Sequence, residues 1–155
     1  MVSNILEKYK TIFSEEFEGV TIDDAVKNAI ETLKMSKEEL QIKILYEGEP
    51  GLFGLKGQKP ARVKVYPNIL KVENVIKFFL IKLLSFIQEK IIFVDVKIEE
   101  GQTVVITTVF SAGTVIKKVL PKDVHMAVVL LTKYFVSQIL PHYKVSINFR
   151  ESSSI

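Results

Sequence analysis

"GEPGLFGLKGQKPARVKV", residues 48–65, carries glycine at 48, 51, 54 and 57, four of the seven glycines in the chain. Glycine at every third position is the collagen period, but four triplets flanked by globular sequence cannot sustain a triple helix. A phosphate-cradling loop requires GxxxxGK[ST], or GxGxxG between a strand and a helix, and neither pattern occurs here. The stretch after Gly57 is strand-like: Ala61, Val63 and Val65 alternate with Arg62, Lys64 and Tyr66. The stretch before the loop, "QIKILYEGE", alternates in the same way and assigns Ile42, Ile44 and Tyr46 to one face. The loop therefore joins strand to strand. Its glycines permit positive φ and close backbone approach in a long hairpin connection, and at least one of Gly51, Gly54 and Gly57 is expected at positive φ. Leu52, Phe53 and Leu55 are expected to tuck onto the core.

Upstream lies "VTIDDAVKNAIETLKMSKEEL". Thr21 can cap a helix whose first turn holds Asp23 and Asp24, and Ile22, Ala25, Val26, Ala29, Ile30 and Leu33 form its apolar stripe. Ser36 opens a second capping signal, SKEE. The order strand, helix, strand, glycine loop, strand describes a small α+β module.

These residues, from "EGVTIDDAVKNAIETLKMSKEEL" to "GLFGLKGQKPARV", closely resemble the N-terminal domain of the Jag (KhpB) family of bacterial proteins over about residues 18–66. The resemblance implies an RNA-binding protein linked to envelope growth and division, in which a type II KH domain and then an Arg-x-x-x-His nucleic-acid-binding domain complete the chain.

Residues 71–149 can be read without that resemblance. Val72 to Gln88 is a strongly apolar helix, and "IIFVDVKI" sets Val94, Val96 and Ile98 against Asp95 and Lys97. "EEGQ" turns, "TVVITTVF" is a second strand, and "GTVIKKVLP" reads as a short helical turn stopped by Pro121. Asp123 caps a helix to about Leu140, and "YKVSINF" places Tyr143, Val145, Ile147 and Phe149 on one face of a last strand, expected in the sheet of the two preceding strands. This α-β-β-α-α-β order is that of a type II KH domain. A KH domain clamps nucleic acid through a GxxG loop. Val119, Leu120, Pro121 and Lys122 stand at that place here, without glycine.

The expected fold class is α+β with two small domains: an N-terminal amphipathic helix or extension (1–15), a Jag-like β-α-β-β module (16–66), a degenerate KH-like domain (70–150) and a flexible tail (151–155). Ile5, Leu6, Tyr9, Ile12 and Phe13 form the apolar stripe of the first segment, which packs on its own domain, on a partner, or peripherally on a membrane. The 72–88 helix is apolar nearly all round, so its second face is expected to meet another domain or subunit.

Charge is uneven. Residues 1–66 hold 10 Lys/Arg against 11 Asp/Glu, whereas residues 67–155 hold 11 against 7. This basic bias permits a polyanionic partner. The candidate nucleic-acid contacts are Lys117, Lys118, Lys122 and Lys133 around the degenerate loop, with Lys56, Lys59 and Arg62 near the glycine loop, where Phe53 either stacks on a base or anchors the core. With no cysteine, two histidines and acidic pairs explained by helix starts and turns, no metal, cofactor or catalytic centre is expected. No secretory signal or spanning segment is recognisable, so a cytoplasmic site is expected. Nothing of domain length comes after "ESSSI", so the Arg-x-x-x-His domain is not expected. Two functions remain: a non-catalytic RNA-associated adaptor with weakened single-strand binding, or a protein-interaction regulator on a KH scaffold, with a protein partner or a homo-oligomer.

Overall fold

The structure, a computed structural model, describes residues 2–51, 57–86, 91–111 and 122–152. The elements run α1 (Val2–Ile12), β1 (Glu15–Gly19), α2 (Ile22–Leu33), a 3-10 turn (Lys37–Glu39), β2 (Leu40–Tyr46), β3 (Ala61–Pro67), α3 (Val72–Phe86), β4 (Ile91–Glu99), β5 (Thr103–Phe110), α4 (Lys122–Ile139) and β6 (Lys144–Glu151). The class is α+β. The short turn expected near residues 113–121 lies outside the described residues.

The first sheet is antiparallel, in the order β1-β3-β2. Thr21 caps α2 as its sequence requires. The hydroxyl of Thr21 accepts from the backbone N–H of Asp24, and the Asp24 carboxylate accepts in return from the Thr21 N–H, both at 3.1 Å. Ala25, Ala29 and Leu33 of α2 are buried, as are Ala61, Val63 and Val65 of β3. The small alanines let the helix lie close to the central strand.

The second sheet has the order β4-β5-β6, with β4 antiparallel and β6 parallel to β5. The terminal strand thus joins the two earlier ones, as its alternation required. A parallel pair needs a long crossover, and here the connection contains α4. Val104, Ile106, Thr108 and Phe110 turn one wholly buried face of β5 inward.

Helix α3 explains its own composition. It buries Val75, Ile76, Phe78, Leu80, Ile81 and Leu84, and it contacts β3 and α2 on one side and β4 and α4 on another. The buried apolar residues of both sheets form one connected cluster through it. Its two lysines are absorbed by the N-terminal module: Lys77 Nζ pairs with Glu39 and Lys82 Nζ with Glu15, each at 2.8 Å. Asn68 ties the junction, its N–H donating to the Glu39 carbonyl at 2.8 Å and its side chain to the Glu38 carbonyl at 3.1 Å.

The N-terminal helix, expected to pack on its own domain, on a partner or on a membrane, packs within the chain on β3 but also on α3 and α4 of the second half. Leu6 is buried, and Tyr9 and Phe13 stack at 5.6 Å. Both rings meet Phe135 of α4 edge-on, at 5.1 and 5.6 Å, while Phe79 of α3 stacks on Phe135 at 4.0 Å. Tyr9 of α1, Phe13 just after it, Phe78 and Phe79 of α3 and Phe135 of α4 form one aromatic cluster.

Two measurements check this account. Phe135→Ala should cost about 3–5 kcal/mol in urea unfolding, because it removes the ring that α1, α3 and α4 share; a loss below about half a kcal/mol would contradict it. For Glu39, partial burial pushes the carboxyl up, but hydrogen bonds from Lys77 and the Ser36 N–H, with the Lys77 charge, outweigh it and leave it below its ordinary value of 4.5. Stability from this depressed carboxyl is complete above the unfolded value and lost as pH falls through the folded one. Melting temperature should therefore fall less steeply between about pH 6 and pH 3 in Glu39→Gln than in the parent.

Candidate nucleic-acid interface

Backbone conformation at the glycine loop accords with its sequence. Gly48, Gly51 and Gly57 have φ of 87°, 74° and 81°. Gly48 also permits a close approach, since a Cβ there would lie 2.9 Å from the Ala61 nitrogen. Glu49 and Lys59 exchange backbone hydrogen bonds at 2.9 and 3.0 Å, holding the two flanks together beyond the strands. Phe53, Gly54 and Lys56 lie outside the described residues, and so do Leu52 and Leu55.

One expectation for this hairpin is corrected. Alternation assigned Tyr46 to the face of Ile42 and Ile44. In the structure Ile44 pairs with Val63 but Tyr46 pairs with Arg62, so two residues of β2 span one of β3. Leu45 is the extra residue of a β-bulge, and the bulge carries Tyr46 to the opposite face, beside Arg62. Ile44 is left 49% exposed, so it is not the core residue that the alternation suggested.

Arg62, Lys59 and Tyr46, with Glu18, Glu49 and Pro60, line a hollow of about 410 Å³. The Tyr46 hydroxyl donates to Glu49 Oε1, and Lys59 Nζ stands 3.6 Å from the same oxygen. The hydrogen bond first, then the Lys59 charge, hold the Glu49 carboxyl below its ordinary range; the same bond pushes the Tyr46 phenol up. Lys59 is therefore partly neutralised. Arg62 has no carboxylate within ion-pairing distance among the described residues.

The second set of sequence candidates sits on α4. Lys122 is its exposed first residue, and Lys133 is exposed three turns further on, about 16 Å along the axis at 1.5 Å per residue. Lys117 and Lys118 lie outside the described residues. Around Lys133 the outer surface of α4 is apolar: Met126, Leu130, Leu131 and Tyr134 are 53%, 60%, 49% and 66% exposed. His125 packs edge-on against Phe149 at 5.0 Å, and His142 is exposed in the turn before β6. No group of three or more metal-ligating side chains occurs among the described residues. Nor, among them, is any helix long and apolar enough to cross a membrane.

Comparison with known proteins agrees with the geometry of the first sheet. Residues 17–67, from β1 to the end of β3, match the family model described as the Jag N-terminus. Residues 17–67, the Jag module, are similar to a Jag N-terminus. A 56-residue stretch is 32% identical to the RNA-binding protein KhpB of Bacillus subtilis strain 168, covering 36% of this chain and 27% of that protein. The chain thus aligns with about a quarter of that relative's length.

Within residues 17–67, sequence reasoning named Lys59 and Arg62 but not Lys43, Lys64 or Tyr66, and it put Tyr46 on the wrong face. The Lys43–Lys64 juxtaposition arises from strand register, and the Tyr46 position from a bulge with no glycine to mark it.

Two alanine substitutions separate the roles of the loop glycines. Gly48→Ala adds a backbone clash to positive φ and should cost about 2–4 kcal/mol, whereas Gly57→Ala, with nothing within 4 Å of its Cβ, should cost about 1 kcal/mol. Equal losses in chemical denaturation would remove the close-approach argument.

Proposed function

We propose that the protein is a non-catalytic RNA-associated adaptor of the Jag/KhpB type, acting in the cytoplasm, with weak and charge-led binding to single strands. The observation that carries this is the match of the Jag module to a protein named for RNA binding. Exposed cations on both halves of the molecule support it: Arg62 on β3, and Lys122 and Lys133 on α4. The element order α3-β4-β5-α4-β6, with β6 beside β5, supports reading the second half as a KH-like domain. Val119, Leu120, Pro121 and Lys122 replace its GxxG loop, so backbone amides are not freed to meet phosphates and side-chain charge has to do so.

A specific observation favours a second reading. The exposed Met126, Leu130 and Tyr134 recur at every fourth residue along α4, an apolar face suited to a protein partner or a second copy. On this reading the KH-like half is a protein-interaction regulator.

Titration of labelled single-stranded RNAs across salt tests the choice. Weak binding to unrelated sequences is expected, with log affinity falling by about 0.7 per phosphate contact for each tenfold rise in salt. The triple variant Lys117→Glu, Lys118→Glu, Lys122→Glu should weaken all sequences alike and flatten that slope. Tight, salt-insensitive recognition of one sequence would contradict the proposal, and absence of binding at low salt would favour the protein-interaction reading.

A further inference from the structure

The face of the N-terminal sheet turned away from α2 carries a pattern that the loop lysines do not explain. Antiparallel partners share a face, so the register places Lys43 beside Lys64, Gln41 beside Tyr66 and, through the bulge, Tyr46 beside Arg62. On the other side of β3, Glu16 stands opposite Lys64 and Glu18 opposite Arg62. None of Lys43, Arg62 and Lys64 forms an ion pair among the described residues. Lys10 of α1 adds a fourth cation at one end, its Nζ 5.7 Å from the centre of the Tyr66 ring. The face is therefore basic along β3 and β2, bordered by acid along β1 and by Glu49 beside Tyr46, with one tyrosine at each end.

We propose that this face binds single-stranded RNA, with phosphates taken by Arg62, Lys64 and Lys43 and bases stacked on Tyr46 and Tyr66. It deepens the RNA-associated reading and rests on it. Three features favour this occupant. Like charges directly opposite on a sheet repel, and the Lys43–Lys64 pair is relieved by an anion between them. Aromatic rings on an open sheet are the platform on which single-strand readers stack bases, and four residues of β3 separate the two tyrosine rows, about 13 Å at 3.3 Å per residue, a span suited to two or three nucleotides. The bulge at Leu45 turns Tyr46 onto this face, and bulges re-aim side chains at functional sites. The glutamates of β1 repel phosphate and confine the backbone to the β3–β2 half.

The full chain should be titrated with a fluorescein-labelled 12-nucleotide single-stranded RNA of mixed sequence from low to physiological salt. The double variant Lys43→Glu, Lys64→Glu should bind at least tenfold more weakly, and its salt slope should be shallower by about 1.4, two contacts at 0.7 each. Tyr46→Ala with Tyr66→Ala should weaken binding roughly tenfold or more with the salt slope unchanged, because stacking releases no counterions. The reversal Glu16→Lys, Glu18→Lys should tighten binding several-fold more than Glu99→Lys, Glu100→Lys at the β4–β5 turn, a gain that misfolding cannot imitate. If the parent binds and the face variants bind as it does, this surface is not the site, although the RNA-associated reading stands. If the parent binds no RNA at low salt, both fall.

Discussion

The apolar girth of α3 is the constraint on which the rest of the structure depends. A helix packed on one sheet needs only a stripe of apolar residues; α3 is buried along most of its length and joins the cores of two three-stranded sheets. Each of its fully buried large side chains contributes about 1.5–3 kcal/mol relative to an exposed one. The polar residues Lys77, Lys82 and Asn74 are each spoken for. Lys77 and Lys82 reach Glu39 and Glu15, and Asn74 donates to the Asn68 carbonyl at 3.0 Å. These contacts orient the N-terminal module on the helix, while the aromatic cluster around Phe135 packs α1 and α4 against Phe78 and Phe79 between the two lysines. Stacked and edge-on rings at 4.0 to 5.6 Å give that cluster directional packing beyond its area alone.

The sequence was legible wherever a local rule had one solution. Thr21 with Asp24 could only start a helix, and its stripe of alanines and leucine determined the buried face. The half-buried alternation of β6 was equally plain, as was the positive φ of the loop glycines, whereas β5 was legible as a strand but not by its buried face, which includes Thr108. The unreadable features were non-local. Nothing in "QIKILYE" marks Leu45 as a bulge, because the extra residue is defined by its partner strand, not by its own neighbours. One inserted residue reverses the facing of everything beyond it, which is why a correct strand assignment still put Tyr46 on the wrong side. Pairings such as Lys43 with Lys64 were hidden for the same reason. The all-round hydrophobicity of α3 showed that a second partner existed; that the partner is the chain's own first sheet emerges only in three dimensions.

The lysines of α3 and those on the outer face of the first sheet meet different fates, and the contrast bears on function. Where a lysine of α3 faces the N-terminal half it is paired: Lys77, 15% exposed, would be costly to leave without Glu39. Where a lysine lies on the outer face of the first sheet it is not, even though Glu16 and Glu18 stand one strand away. A sheet selected for stability alone would separate like charges or draw each toward an acid, since opposed like charges destabilise and opposite charges contribute roughly 0.2–1 kcal/mol per pair. Lys64 has an acid opposite on one side, Glu16, but Lys43 on the edge strand faces only Lys64, and the bulge sets Tyr46 in the adjoining row next to Arg62. The lysines of α3 are paired with glutamates of the N-terminal half, whereas on the outward face of the sheet Lys43 stands against a like charge and forms no ion pair among the described residues.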